Sequence, residues 1–133
     1  MAFVHGKNTV VKVATKDISP YCKTSTLEQT ADVHDTTGYG ATAHTKAGGL
    51  LDGKFTVSGS YDNTVSVGPR NALQSLIGTS VAVIRQPEGT AVTKPQDSFT
   101  AVMSKYTETS PVDDMVTWSA EFEVSGVVNT TVQ

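Results

Sequence analysis

The stretch Met115-Val-Thr-Trp-Ser-Ala-Glu-Phe-Glu-Val-Ser-Gly126 decides how this chain is read. Val116, Trp118, Ala120, Phe122 and Val124 are apolar, and Thr117, Ser119, Glu121, Glu123 and Ser125 between them are polar. Successive side chains on a strand point to opposite faces, so this alternation predicts a strand with one face on a core and one in water. The wet face carries two carboxylates and small hydroxyls, with no basic residue. What such a face is for becomes the functional question.

A second strand of the same kind is expected at 54–62. There Phe55, Val57, Gly59 and Tyr61 form the apolar face, and Lys54, Thr56, Ser58, Ser60 and Asp62 the polar one. Shorter or less regular strands are expected at 9–14, 22–33, 80–86 and 98–107, with turns at Ser19-Pro20, Glu88-Gly89 and Ser110 to Asp114. One helix is expected over 69–78. Pro69 suits its first position, Ala72, Leu73, Leu76 and Ile77 share a face, and Gly78 supplies the stop. Residues 34–53, rich in Gly and Thr, follow neither period and read as a loop. A structureless run of that length inside a small domain is unusual, so it is either a missed element or a loop with a job. The expected fold is mainly β: one domain over 1–133, a β-sandwich or barrel with a single short helix, and 1–8 and 127–133 as possible arms.

Composition narrows the function by exclusion. Ser and Thr make up about a quarter of the 133 residues, which favours strands. A net charge of −3 and no basic block argue against an electrostatic grip on nucleic acid. The single cysteine, Cys22, forbids an internal disulfide and fits a reducing compartment such as a cytoplasm. No signal-peptide pattern and no apolar run of membrane-spanning length is present, so no membrane partner is expected.

No constellation of residues adds up to catalysis, and no cofactor or metal is expected. Gly38-Tyr39-Gly40 lacks the rest of a phosphate-binding loop. His34, Asp35 and His44 are close enough in sequence for a metal or acid–base site, but polar loop residues explain them more simply. Cys22 with His34 as nucleophile and base, or Glu121 with Glu123 as an acid–base pair, is outweighed by an inert thiol and a hydrated strand face. Trp118 reads as a core anchor rather than a ligand contact.

Three segments, in this order and spacing, carry a family resemblance. They are Ala47-Gly-Gly-Leu-Leu-Asp-Gly-Lys-Phe-Thr-Val-Ser-Gly-Ser-Tyr61, Gly68-Pro-Arg-Asn-Ala-Leu-Gln-Ser-Leu-Ile-Gly78 and Asp113-Asp-Met-Val-Thr-Trp-Ser-Ala-Glu-Phe-Glu-Val-Ser-Gly126. From about Ile18 onward the chain resembles the major tail (tail tube) proteins of long-tailed bacteriophages, most of all the short tube proteins of phages infecting actinobacteria. The resemblance implies a non-enzymatic virion protein, made in the host cytoplasm, that assembles as hexameric rings stacked into a tube. Genome DNA passes through that tube during infection. Implied partners are further copies of itself, then tape-measure, terminator and baseplate or tip proteins.

Under that reading DNA must slide without sticking, which a wall of hydroxyls and carboxylates allows. Thr56, Ser58, Ser60, Thr117, Ser119, Glu121 and Glu123 are therefore the expected lumen lining, with Lys54 placed at a rim. Residues 34–53 would be an extended loop reaching a neighbouring subunit or ring, with Asp35, Thr36, Gly38, Tyr39, Gly40, His44, Gly48, Gly49, Leu50 and Leu51 as contacts. A head-decoration or tail-terminator protein, a contractile-type injection tube and a small-ligand barrel are the alternatives.

Overall fold

The computed structural model describes residues 5–62 and 68–133, the side chain of Asn71 excepted. Seven strands lie among them: β1 (Val10–Val13), β2 (Lys16–Asp17), β3 (Thr24–Asp35), β4 (Lys46–Ser60), β5 (Ser80–Gln86), β6 (Pro95–Thr109) and β7 (Thr117–Val132). They form one antiparallel sheet in the order β2-β1-β5-β6-β7-β4-β3.

The sheet curls because strands from both of its sides feed the same core. Val11 and Val13 from β1, Val83 from β5, Met103 from β6, Phe122 from β7 and Phe55 from β4 are all at most 1% exposed. Phe55 meets Phe99 edge-on at 5.6 Å and Phe122 at 5.9 Å between ring centres, so three strands are tied through aromatic contacts. On the far side of the curl, Arg85 of β5 donates from Nε to Ser25 Oγ of β3 at 3.4 Å, although four steps of the sheet order separate the two strands. The result is a barrel left open along the seam between β1 and β3.

Trp118 anchors this arrangement. Its indole N–H is shared between the Ser60 carbonyl at 3.1 Å and the Tyr21 carbonyl at 3.2 Å. A buried Trp needs such a partner, and this one bolts the segment before β3 to the β4–β7 pair. Gly59, opposite Trp118, makes room for that segment: a Cβ there would run into the Tyr21 carbonyl.

The helix is shorter than expected. Only α1 (Pro69–Leu73) is α-helical, Gln74–Leu76 tightens into a 3-10 turn, and Gly78 at φ 80° ends the segment. Ala72 and Leu73 are buried and Leu76 packs against the core, whereas Ile77 is 48% exposed, so the docked face ends before Ile77.

The larger difference concerns 34–53. Lys46 to Gly53 are the first half of β4 and pair with Gln29 to Asp35 of β3, so only 36–45 lie outside strands. The expected loop is a hairpin. Val116 also falls just before β7 rather than within it. At the other end, 127–132 continue β7 past a bulge at Gly126, whose φ of 92° suits glycine. Gln133 then ties the terminus down through its amide to the Gly89 carbonyl at 2.7 Å, so this segment is sheet and not a separate arm. Of residues 1–8, the described part holds a 3-10 turn at Gly6–Asn8, and 1–4 lie outside the described residues.

Candidate functional site: a polar sheet face and a projecting hairpin

The seven residues expected on one polar wall share one face of one strand pair. Thr56 stands opposite Glu121, Ser58 opposite Ser119, Ser60 opposite Thr117 and Lys54 opposite Glu123. The partners beneath them, Phe55, Val57, Gly59, Trp118, Ala120 and Phe122, are buried. The face also extends further than the two strands that revealed it. On β3, Thr24, Thr26 and Glu28 stand beside Ser58, Thr56 and Lys54; on β6, Lys105, Thr107 and Thr109 stand beside Glu121, Ser119 and Thr117.

Lys54 is not at an edge of this face. Its ammonium meets Glu121 at 2.9 Å, with Glu123 and Glu28 close enough to add to its charge environment. The hydrogen bond to Glu121, and then its charge, raise the Lys54 pKa above the ordinary lysine value. In return, the Lys54 hydrogen bond and charge hold the Glu121 carboxyl below the ordinary glutamate value, and Lys105 adds to that. Glu121 is thus a fixed carboxylate in an ion pair. It offers no proton at neutral pH, and pairing with Glu123 as acid and base is not what the geometry supports.

The hairpin of β3 and β4 leaves the barrel after Lys54, the last β4 residue in register with β7 on that side. From Gln29 to Leu51 both of its faces are exposed. Exposed apolar side chains stand along it: Val33 (63%), Leu50 (80%), Leu51 (64%) and, at the tip, Tyr39. The tip is ordered by its own polar groups. Thr37 N–H donates to Asp35 Oδ1 at 2.8 Å, Thr45 N–H donates to Thr37 Oγ1 at 2.8 Å, and Thr36 N–H donates to the Thr45 carbonyl at 2.8 Å. The Thr37 hydroxyl and N–H hold the Asp35 carboxyl below its usual pKa. Gly38 and Gly40 lie in the turn, with Gly40 at φ 86°.

His44 approaches Asp35 at 3.6 Å, both well exposed, while His34 lies over Gly49, so the two histidines do not converge. Among the described residues no cluster of three or more ligating side chains could hold a metal. Cys22 is remote from His34. It sits beside Gly59, near the Thr24–Ser58 pair, whereas His34 pairs with Ala47, ten positions down β3, or roughly 33 Å along a strand. Burial, with some help from Asp17, pushes the Cys22 thiol up to about 12, and it donates to the Ile18 carbonyl at 3.1 Å. A nucleophile is the wrong description of it.

A cleft of about 540 Å³ follows the open seam, lined by His5, Lys7, Thr9, Ser19, Lys23 and Arg85 among others. Its lining includes Val11 of the apolar core and Cys22 packed against that core. None of the described helices is long and apolar enough to cross a membrane.

Among the described residues β2, which pairs only with β1, closes one end of the sheet, and two longer strand edges lie open at β3 and β6. β3 pairs only with β4, and β6 has β5 beside it only as far as Val102 and hydrogen bonds to the 78–79 turn at Met103. Beyond that, Ser104 to Thr109 have no strand on the side away from β7 among the described residues.

This architecture is shared with solved structures of tubular assemblies. A chain of the SPP1 tail tube matches with a TM-score of 0.79 at 10% identity, covering 98% of this chain and 80% of that one. The fold is that of a tail tube subunit. A chain from the virion of a native gene transfer agent particle matches at 0.75 and 12% identity over 97% of this chain and 99% of that one. A chain from the sheath–tube complex of an extracellular contractile injection system, PVC, matches at 0.73 and 12% over 98% and 93%. At such identities the likeness is one of fold. No protein-family model matches the chain, and no curated protein matches it by sequence.

Proposed function

We propose that this chain is the structural subunit of a phage tail tube. It polymerises as stacked rings, six copies to a ring, around a channel that conducts genome DNA. The observation that carries this reading is the tube fold running over essentially the whole chain, with 97–98% covered by tube-containing assemblies of three kinds. The six-fold count is supported by a gene transfer agent tail refined with C6 symmetry, whose chain matches at a TM-score of 0.75. The finer placement, among short tube proteins of actinobacterial phages, rests on the three sequence segments given above.

The polar face suits a channel wall. Phosphate contacts by Lys and Arg drive non-specific DNA binding, and the two lysines on this face both lie beside carboxylates. The remaining groups are hydroxyls, so a passing strand meets nothing that neutralises it. The hairpin suits a contact between copies, because a two-stranded ribbon with both faces in water is barely stable alone. Covering Leu50, Leu51, Val33 and Tyr39 by a neighbouring subunit or ring supplies the missing burial. The implied partners are further copies, then tape-measure, terminator and baseplate proteins of the same virion. No catalytic role is proposed.

The second reading is a tube-terminating protein, since a chain from the anti-feeding prophage cap matches at a TM-score of 0.74. A contractile-type injection tube is a variant of the first reading, given the sheath–tube match. Negative-stain electron microscopy of the purified chain at rising concentration separates them. Long hollow filaments support the tube subunit, single rings that never stack support a terminator, and monomers at every concentration and ionic strength count against both.

A further inference from the structure

The polar face is crossed by a row of alternating charges whose two ends differ in sign. Starting from the β3 edge, Glu28 stands opposite Lys54; Lys54 bonds diagonally to Glu121; and Glu121 stands opposite Lys105 on β6. The row therefore enters at a carboxylate on one open edge and leaves at an ammonium on the other. Inside the chain every step joins opposite charges. Among the described residues the terminal members, Glu28 and Lys105, each have a strand neighbour on one side only.

Strand directions make the two edges mutually compatible. Across β3, β4, β7 and β6 each neighbour is antiparallel to the last, so β3 and β6 run in opposite directions. When copies stand side by side in the same orientation, the β6 edge of one meets the β3 edge of the next as another antiparallel pair. No copy has to invert, as a closed ring requires.

We propose, building on the tube reading, that β3 of one copy pairs with β6 of a second copy in the register that places Glu28 opposite Lys105. That register also sets Thr26 opposite Thr107 and Thr24 opposite Thr109 on the polar face. On the core face it sets Leu27 opposite Tyr106, two half-buried side chains that already pack against the cores of their own chains. The pairs made by Glu28, Leu27, Thr26 and Thr24 match in kind: charge with opposite charge, apolar with apolar, hydroxyl with hydroxyl; Ser25 falls opposite Glu108, where its hydroxyl can donate to the carboxylate. Sliding by two residues keeps the faces but puts Glu28 opposite Thr107 and Lys105 opposite Thr30, which leaves both charges unmatched. Sliding by one puts Glu28 on the core face of its neighbour. The ion pair thus selects one register, and the charge row becomes continuous around a ring.

The test uses the full chain and reads assembly, with circular dichroism and thermal midpoint confirming that each variant folds as a monomer. Glu28→Lys and Lys105→Glu alone each oppose like charges across the junction and raise the concentration needed for tubes by roughly tenfold or more. The double reversal restores only the junction pair. Inside the chain the reversed charge at position 28 still stands beside Lys54, and the one at position 105 still stands beside Glu121, so both remain mismatched there. Recovery in the double variant therefore reports the contact between copies. An equimolar mix of the two single variants also assembles, since alternating copies place opposite charges at every junction of an even-numbered ring. A separate variant, Glu28→Cys with Lys105→Cys, gives a ladder of linked copies with a short thiol crosslinker, whereas Glu28→Cys with Thr107→Cys gives much less. If the native chain forms tubes while the double reversal stays as impaired as the singles, or the crosslinked ladder favours Thr107, the register is wrong and the tube reading stands. If the native chain forms no tubes at all and the ladder is absent, both fall together.

Discussion

Lys54 and Glu121 meet at 2.9 Å across β4 and β7, on a sheet face that also carries Glu28, Glu123, Lys105 and a set of hydroxyls. The contact turns one lysine and one glutamate of that face into a neutral pair. It also depresses the Glu121 carboxyl below the ordinary glutamate value, first through the hydrogen bond and then through charge. The folded pKa lies below the unfolded one, so this contribution to stability is present above the ordinary glutamate range and is lost as pH falls through the depressed value. A carbon-detected NMR titration should place the Glu121 midpoint lower in the native chain than in Lys54→Met, where it returns towards the ordinary value. Equal midpoints in the two proteins would mean that no such ion pair forms in solution.

Gly59 and Trp118 face each other across the same strand pair and carry the fold where Lys54 and Glu121 tune its surface. Gly59→Ala sets a methyl group against the Tyr21 carbonyl, so the segment before β3 must shift and Trp118 loses one of its two acceptors. Trp118→Ala removes a side chain that is 2% exposed and should cost about 3–5 kcal/mol in urea unfolding of the monomer. Trp118→Phe should fall between it and the native chain. A Gly59→Ala protein as stable as native would contradict the packing described.

Along the hairpin the prediction has the opposite sign for the monomer. Leu50 and Leu51 are 80% and 64% exposed, so Leu50→Ser with Leu51→Ser should leave the monomer's thermal midpoint within about a degree or two while abolishing filaments. Amide exchange supplies the complementary measurement. Amides of 29–53 should exchange fast in the monomer and slowly in the assembled form. Slow exchange in both states would mean that the hairpin needs no partner.

How much of this was legible in the sequence follows from where a buried face exists. From Lys54 on, β4 lies on the core, as does β7 up to Val124, and alternation exposed both at once together with the seven polar-face residues. The outer half of the hairpin buries neither face within the chain, so selection for a period is absent there and 34–53 read as loop. Lys105, Thr107 and Thr109 escaped for a different reason: the bulge at Ser104 shifts the alternation of β6 by one, which mixes its faces when read straight through. Thr24, Thr26 and Glu28 sit on an edge strand whose core side offers only Ser25 and Leu27, too little contrast to reveal a face. The helix fell short of its apolar stripe because Gly78 and the turn into β5 leave Ile77 in solvent.

Cys22 provides a chemical check on the seam side of the barrel. With its thiol raised to about 12 by burial, it should react with an aromatic disulfide reagent at about pH 8 only as fast as the chain unfolds. The raised value also implies that stability declines as pH rises past about 9, since only the unfolded chain then ionises its thiol. Cys22→Ala should flatten that alkaline decline. Rapid labelling in native buffer would show that the segment before β3 is not held as described.

The central claim is that the face bearing Thr56, Ser58, Ser60, Thr117, Ser119, Glu121 and Glu123 lines a channel built from copies of this chain. Cryo-electron microscopy of the purified, assembled protein at side-chain resolution tests it directly. The expected result is a hollow tube of six-membered rings, with those seven side chains and Lys54 on the inner wall and the β3–β4 hairpin against a neighbouring copy. A tube that carries the same residues on its outer surface, or an assembly with no channel, would contradict it.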